Sequence, residues 1–117
     1  MELTISGKYR ALIARLSGEL DHHIAGHVRD AVDRELERTG AINVAFDFRR
    51  VTFMDSSGIG MVMGRYKKVA ALGGQVVIFG ASETVRRIMR MSGLDRFTVI
   101  VDKLEDGFEE VTADAAK

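Results

Sequence analysis

Apolar positions along the chain alternate between short runs and helical stripes, and this pattern predicts the elements in order. Residues 3–6 and 11–16 read as two short strands joined through Gly7 and Lys8 in a hairpin. Asp21 is a preferred helix cap, and Ile24, Val28, Ala31, Val32 and Leu36 then recur at helical spacing. Gly40, just after Thr39, supplies a left-handed stop. Residues 42–48, with Ile, Val and two Phe, suit a buried strand. A second helix follows the turn Asp55-Ser56-Ser57-Gly58, with Ile59, Val62, Met63, Tyr66, Val69 and Ala70 as its apolar face. Leu72-Gly73-Gly74 ends it, and residues 75–79 form the next strand. Ser82 caps a third helix whose Val85, Ile88, Met89 and Met91 face inward, closed by Ser92-Gly93. Residues 97–101 give the last strand, and residues 104–115 a final helix anchored by Phe108 and Val111.

Strands alternating with helices predict parallel neighbours joined by right-handed crossovers, and the opening hairpin adds one antiparallel pair. The expected fold is an α/β sandwich with a small mixed central β-sheet and about four helices. Its 117 residues suit a single domain over 1–117. Apolar residues at 46% and charged residues at 29% match a globular protein with a real core. No apolar run approaches the ~20 residues that span a bilayer, and no basic, then apolar, leader opens the chain, so a cytoplasmic location is expected. Cysteine is absent, which excludes disulfides and thiolate chemistry.

Seventeen basic residues balance seventeen acidic ones. A general nucleic-acid binder needs an excess of Lys and Arg to displace counterions, and adhesion to an anionic membrane needs the same. Neither is expected. The partner is a small molecule or another protein.

Chemistry concentrates between Phe46 and Arg65, where a buried strand ends and a polar cluster lands on the first turn of a helix. In α/β folds function gathers at the carboxyl ends of the strands. Helix starts leave N–H donors unpaired and carry partial positive charge, so a phosphate on a serine placed there meets ready donors. Gly58 and Gly60 clear side chains from around Ser56 and let another backbone approach. Phosphorylation would add roughly −1.5 to −2 charges beside Asp55 and repel a partner that docks on the bare turn. Asp and Ser are equally the preferred N-caps, so spacing alone leaves two readings open, a cap and an exposed acceptor.

Other chemistries fit less well. Gly58, Gly60 and Gly64 are one residue off the dinucleotide fingerprint, and the next strand ends Ile78-Phe79-Gly80-Ala81 without the acid that would hold a ribose. The serine lacks the G-x-S-x-G elbow of a hydrolase, and His22, His23 and His27 all lie at one helix start, so no base is placed for it. His23 and His27 share a helix face but have no further ligand for a metal, and surface histidines are the simpler reading. Arg86, Arg87 and Arg90 read as a solvated rim. Asp55 as a phospho-acceptor lacks the further acids that would hold Mg²⁺. No catalytic residue, cofactor or metal is expected.

Three separated motifs resemble one family. Phe53-Met54-Asp55-Ser56-Ser57-Gly58-Ile59-Gly60, continuing through Gly64-Arg65-Tyr66-Lys67, is similar to the signature of STAS domains, and more narrowly of the anti-sigma factor antagonists, especially those of spore-forming bacteria. The stretch Leu16-Ser17-Gly18-Glu19-Leu20-Asp21-His22-His23 and the later Met91-Ser92-Gly93-Leu94 match the same group in the same order. The first strand region is slightly short for the group, and nothing after Val101 matches it.

The resemblance implies a binding protein and not an enzyme. It implies that the serine after the aspartate, Ser56, is phosphorylated by an anti-sigma factor that is itself a serine protein kinase. The unphosphorylated form then binds the anti-sigma factor and frees the sigma factor, and a PP2C-type phosphatase resets the modified form. By position it places the docking surface on Asp21, His22 and His23 and on Asp55, Ser57, Gly58, Ile59, Gly60 and Arg65. A STAS scaffold or sensory module whose serine is only a cap, and a stress-response antagonist acting on another sigma factor, share the same motifs.

Overall fold

The computed structural model describes residues 1–108, and its elements follow the predicted order. They are β1 (Glu2–Ser6), β2 (Ala11–Leu20), α1 (His22–Thr39), β3 (Asn43–Met54), α2 (Ser56–Ala70), β4 (Val76–Phe79), α3 (Glu83–Ser92) and β5 (Val99–Val101). The strands form one mixed sheet in the order β1-β2-β3-β4-β5, with β1 antiparallel to β2 and every other pair parallel.

Alternation along the strands divides the apolar residues between two faces. Leu12, Ala14 and Leu16 of β2, Val44, Phe46 and Phe48 of β3, and Val76 and Ile78 of β4 pack with the helices in the main core. Ala11, Ala45, Val77 and Phe79 point the other way, into a smaller cluster closed by Tyr9 and Phe108, whose rings stack at 5.4 Å. The helices therefore cover one face, as three successive right-handed crossovers stepping in one direction require. Among the described residues, no helix is long and apolar enough to cross a membrane.

The two strands leading to the helix starts run longer than their apolar patterns suggest. Polar residues Ser17 and Glu19, and Arg49, Arg50 and Thr52 around the buried Val51, break the apolar pattern, yet β2 and β3 stay paired to Leu20 opposite Met54, through register shifts after Arg15 and Gly18. β4 pairs only with Val44–Asp47 of β3, so the ends of β2 and β3 project beyond the rest of the sheet as a two-stranded ribbon. Backbone pairing between the two strands satisfies the polar stretch where side-chain burial does not.

Several predicted positions are corrected. Met91 is 80% exposed, not inward. Val85, Ile88 and Met89 define the buried stripe of α3, and Met91 lies about 120° around the helix from its centre. Ile24, at 40% exposure, lies outside the buried face of α1, which is Ala25, Val28, Val32 and Leu36. Ala70 is exposed too, and Met61 and Arg65 belong to the buried side of α2 instead. β5 begins at Val99, after a 3₁₀ turn at Leu94–Arg96 that leaves Phe97 half exposed against Tyr66.

Where the fourth helix was predicted, Leu104–Asp106 makes a single 3₁₀ turn and Phe108 turns back onto the sheet. Gly107 allows this, since a Cβ there would come within 2.5 Å of Val77. Val111 and the rest of that predicted helix lie outside the described residues.

Candidate functional site at the paired helix starts

The β2–β3 ribbon delivers two aspartates side by side. Leu20 and Met54 are paired, and the Asp55 N–H donates to the Leu20 carbonyl at 3.3 Å. Asp21 follows the first strand and Asp55 the second, so α1 and α2 start together at the carboxyl end of the sheet. Each aspartate caps its helix in the same way. Asp21 accepts from the N–H groups of His23 and Ile24 at 3.0 and 3.1 Å, and Asp55 from those of Ser57 and Gly58 at 2.8 and 3.2 Å.

These bonds change one expectation. A phosphate on Ser56 would not find the Ser57 and Gly58 donors vacant, because Asp55 already holds both. It would stand beside a carboxylate. The effect of modification there is added negative charge at the surface.

Ser56 is the first residue of α2 and is exposed, whereas Ser57 is half buried and faces α1. Gly58 is buried, and a Cβ there would come within 2.7 Å of the Leu20 carbonyl oxygen and 3.2 Å of Met54 Cβ. The backbone that its missing side chain admits is thus the chain's own β2, not a partner's. Gly60 is exposed with open space around it, and Ile59 is half buried against the main core. His22 and His23 are both exposed, their rings 5.8 Å apart.

Between the first two turns of α1 and α2 lies an open cleft of about 470 Å³, lined by His22, Arg29, Ser57, Gly60 and Arg65 among others. Arg65 is buried there beside Asp33 of α1, with 3.1 Å between Nε and the carboxylate. Burial holds its guanidinium below the ordinary value, against the pull of Asp33. Of the sequence-predicted residues, Asp21, His22, His23, Asp55, Ser56, Ser57 and Gly60 come together at this end of the helix layer. Arg65 lies two turns down in the cleft, and Gly58 is beneath the surface.

Two residues of this region were not named as site residues in the sequence reading, although Phe53 opens the quoted motif. Arg29 lines the cleft, one helical repeat after His22, and that spacing was the available signal. Phe53, 44% exposed, puts an apolar ring at the end of β3 just ahead of the turn. Alternation marks it as outward-facing opposite Met54.

Comparison with known proteins decides the family. The STAS domain profile matches residues 2–107. The chain belongs to the STAS domain family. It is 37% identical over 100 residues, 86% of each chain, to the anti-sigma F factor antagonist of Paenibacillus polymyxa. Identity is 29% over 79 residues, 68% of each chain, to the anti-sigma-B factor antagonist of Listeria monocytogenes. The solved structure of the anti-sigma factor antagonist SpoIIAA in its unphosphorylated form superposes with a TM-score of 0.71 at 28% identity, covering 90% of each chain. Its phosphorylated form from Bacillus gives 0.69 at 30% identity, over 90% of this chain and 92% of that one. This STAS domain is thus similar to sigma-factor regulators in both sequence and fold.

Proposed function

We propose that this STAS domain is an anti-sigma factor antagonist of the cytoplasm, without catalytic activity of its own, switched by phosphorylation of Ser56. The unphosphorylated protein binds a kinase-type anti-sigma factor and releases the sigma factor. The kinase moves the γ-phosphoryl group of ATP to Ser56 Oγ, with ADP and the serine proton leaving, and docking is lost. A PP2C-type phosphatase restores the hydroxyl.

One observation carries the reading: Ser56 is an exposed hydroxyl on the first turn of a rigidly capped helix, while its neighbour Ser57 is turned toward α1. A dianion on Ser56 changes the surface without disturbing the Asp55 cap or the core, which is what a charge-gated switch requires. Asp21, His22, His23, Asp55 and Gly60 surround it and form the docking surface, with Phe53 as an apolar contact at its edge. The relatives' names support the anti-sigma partner. The greater identity to the F-type antagonist favours a sporulation sigma factor as the one controlled.

Incubation with the cognate anti-sigma kinase and ATP, followed by intact mass, tests the switch. Wild type gains one phosphate and Ser56→Ala gains none. No phosphate on either protein, or labelling abolished by Ser57→Ala alone, overturns the assignment.

A further inference from the structure

The helix layer is open on one side of α2. That helix packs along α1, where Arg65 and Lys68 meet Asp33, and makes no comparable contact with α3. At about 100° per residue, Ile59, Met63 and Tyr66 fall on the flank turned away from α1. α3 carries the chain from β4 to β5, so it lies beyond that flank. Its Arg86 reaches the other way, to Asp102 just past β5, which leaves Ile88 on the side toward α2.

Ile59, Met63, Tyr66 and Ile88 each pack on the main core and stay half exposed. Phe97, 49% exposed, closes the lower end with its ring 5.5 Å from Tyr66, and Met91, 80% exposed, stands on the α3 lip. The result is an apolar groove from the Ser56 turn down to Phe97. The rise along α2 from Ser56 to Tyr66 makes it about 15 Å long, nearly three turns of a helix. Exposed apolar residues are normally scattered singly, and a contiguous row rimmed by charge marks a contact surface. A groove of this length between two helices takes the apolar stripe of a third.

Charge and position select the occupant. Lys67 on the α2 ridge and Arg87 on the α3 ridge are exposed, and neither has an ion-pair partner among the described residues. Acidic flanks on the incoming helix would meet them. A second copy of this chain would instead bring its own Lys67 and Arg87 against the same ridges. The upper end of the groove is the switch itself, since Ser56 lies on the ridge of Met63, seven residues before it. We propose, resting on the antagonist reading above, that the α2–α3 groove receives an amphipathic helix of the anti-sigma factor, apolar toward Tyr66, Ile88 and Phe97 and acidic along its flanks. A dianion on Ser56 then stands where an acidic flank must lie, and repels it.

Titration calorimetry of the full chain against the cognate kinase-type anti-sigma factor with ADP is the test, with the fold of each variant checked by circular dichroism. Phe97→Ala removes the ring at the closed end and weakens binding by about tenfold or more. The double variant Lys67→Glu/Arg87→Glu reverses both ridges and weakens it by a similar factor. Met91→Glu, at a side chain almost wholly in solvent, carries the apolar arm if Phe97→Ala fails to fold. Ile5→Ala, at a comparably exposed residue on the far edge of the sheet, binds as wild type does. Wild-type affinity in either the apolar or the charge-reversed variant overturns the groove and leaves the antagonist reading standing. No binding by wild type removes both. A free chain that is dimeric by light scattering and monomeric as Phe97→Ala assigns the groove to a second copy and overturns the helix.

Discussion

Ser56 and Ser57 differ by one position and by about 100° around α2, and that rotation separates their roles. One hydroxyl meets solvent and the other turns toward the first helix. Asp55 ties down the backbone beneath both through its two cap bonds. A negative charge at Ser56 therefore changes the surface and not the fold, and under the proposed switch it is the partner that responds to it. Ser56→Asp is expected to weaken binding to the anti-sigma factor at least tenfold, about 1.4 kcal/mol. Its thermal unfolding should stay within about 0.5 kcal/mol of wild type, as for other surface substitutions. Affinity measured by titration calorimetry that is equal for the two proteins contradicts charge gating.

The geometry of the site belongs to pairs of elements. β2 and β3 run past the rest of the sheet as a ribbon, end together, and start α1 and α2 side by side. The approach of α2 to the end of β2 is close enough that only glycine fits at position 58. Gly58→Ala puts a methyl against the Leu20 carbonyl, a backbone atom that cannot swing aside, and should cost about 1–3 kcal/mol as an overpacked contact. Gly60 sits two residues further along the same helix in open space. Gly60→Ala should stabilise by about 0.5–1 kcal/mol through helix propensity alone. Urea midpoints should move in opposite directions for the two variants. Movement in the same direction would show that the close packing at Gly58 carries no energetic weight.

At the scale of the whole molecule, the helices cover one face of the sheet and a thinner layer of Tyr9, Leu104 and Phe108 covers part of the other. Asp47 sits at the border of that second face, its side chain 3% exposed. It accepts from Arg49 at 2.7 and 3.0 Å and from Arg15 at 3.2 Å, linking β2 to β3. Burial pushes its carboxyl up, but the bonds and charge of Arg49 and the bond of Arg15 outweigh that and bring it below the usual 3.8. The ionised form is thus favoured by folding, so its stabilisation is present above the unfolded value and is lost as pH falls through the lower folded one. Wild type should exceed Asp47→Asn in urea midpoint near neutral pH, and the gap should close as the pH drops below about 3.8. A gap that is constant down to pH 2 would remove the ion pairs as its source.

Pattern and punctuation in the sequence determine a great deal here. Alternation and helical stripes placed every described strand and all three α-helices, because burial of one face imposes those periods locally. Asp21 and Ser82 were legible as caps, since capping depends on a neighbour two or three residues away. At the second helix the pattern left Asp55 and the serines open, and the structure gives the cap to Asp55. The motif around Ser56 was legible by its resemblance to STAS domains and not by local capping alone. What the sequence could not show lies between elements. The polar-rich stretches 17–19 and 49–52 gave no strand signal, because their pairing rests on each other's backbone with only Val51 buried among them. Gly58 read as surface clearance, and only the position of Leu20 shows that the space is filled from within. Arg65 was placed on the docking surface by resemblance, because neither its burial nor its partner Asp33, 32 positions earlier, leaves a local trace. The tertiary structure decided those three points. Each depends on where a second segment of the chain comes to rest, and no periodicity along a single segment records that.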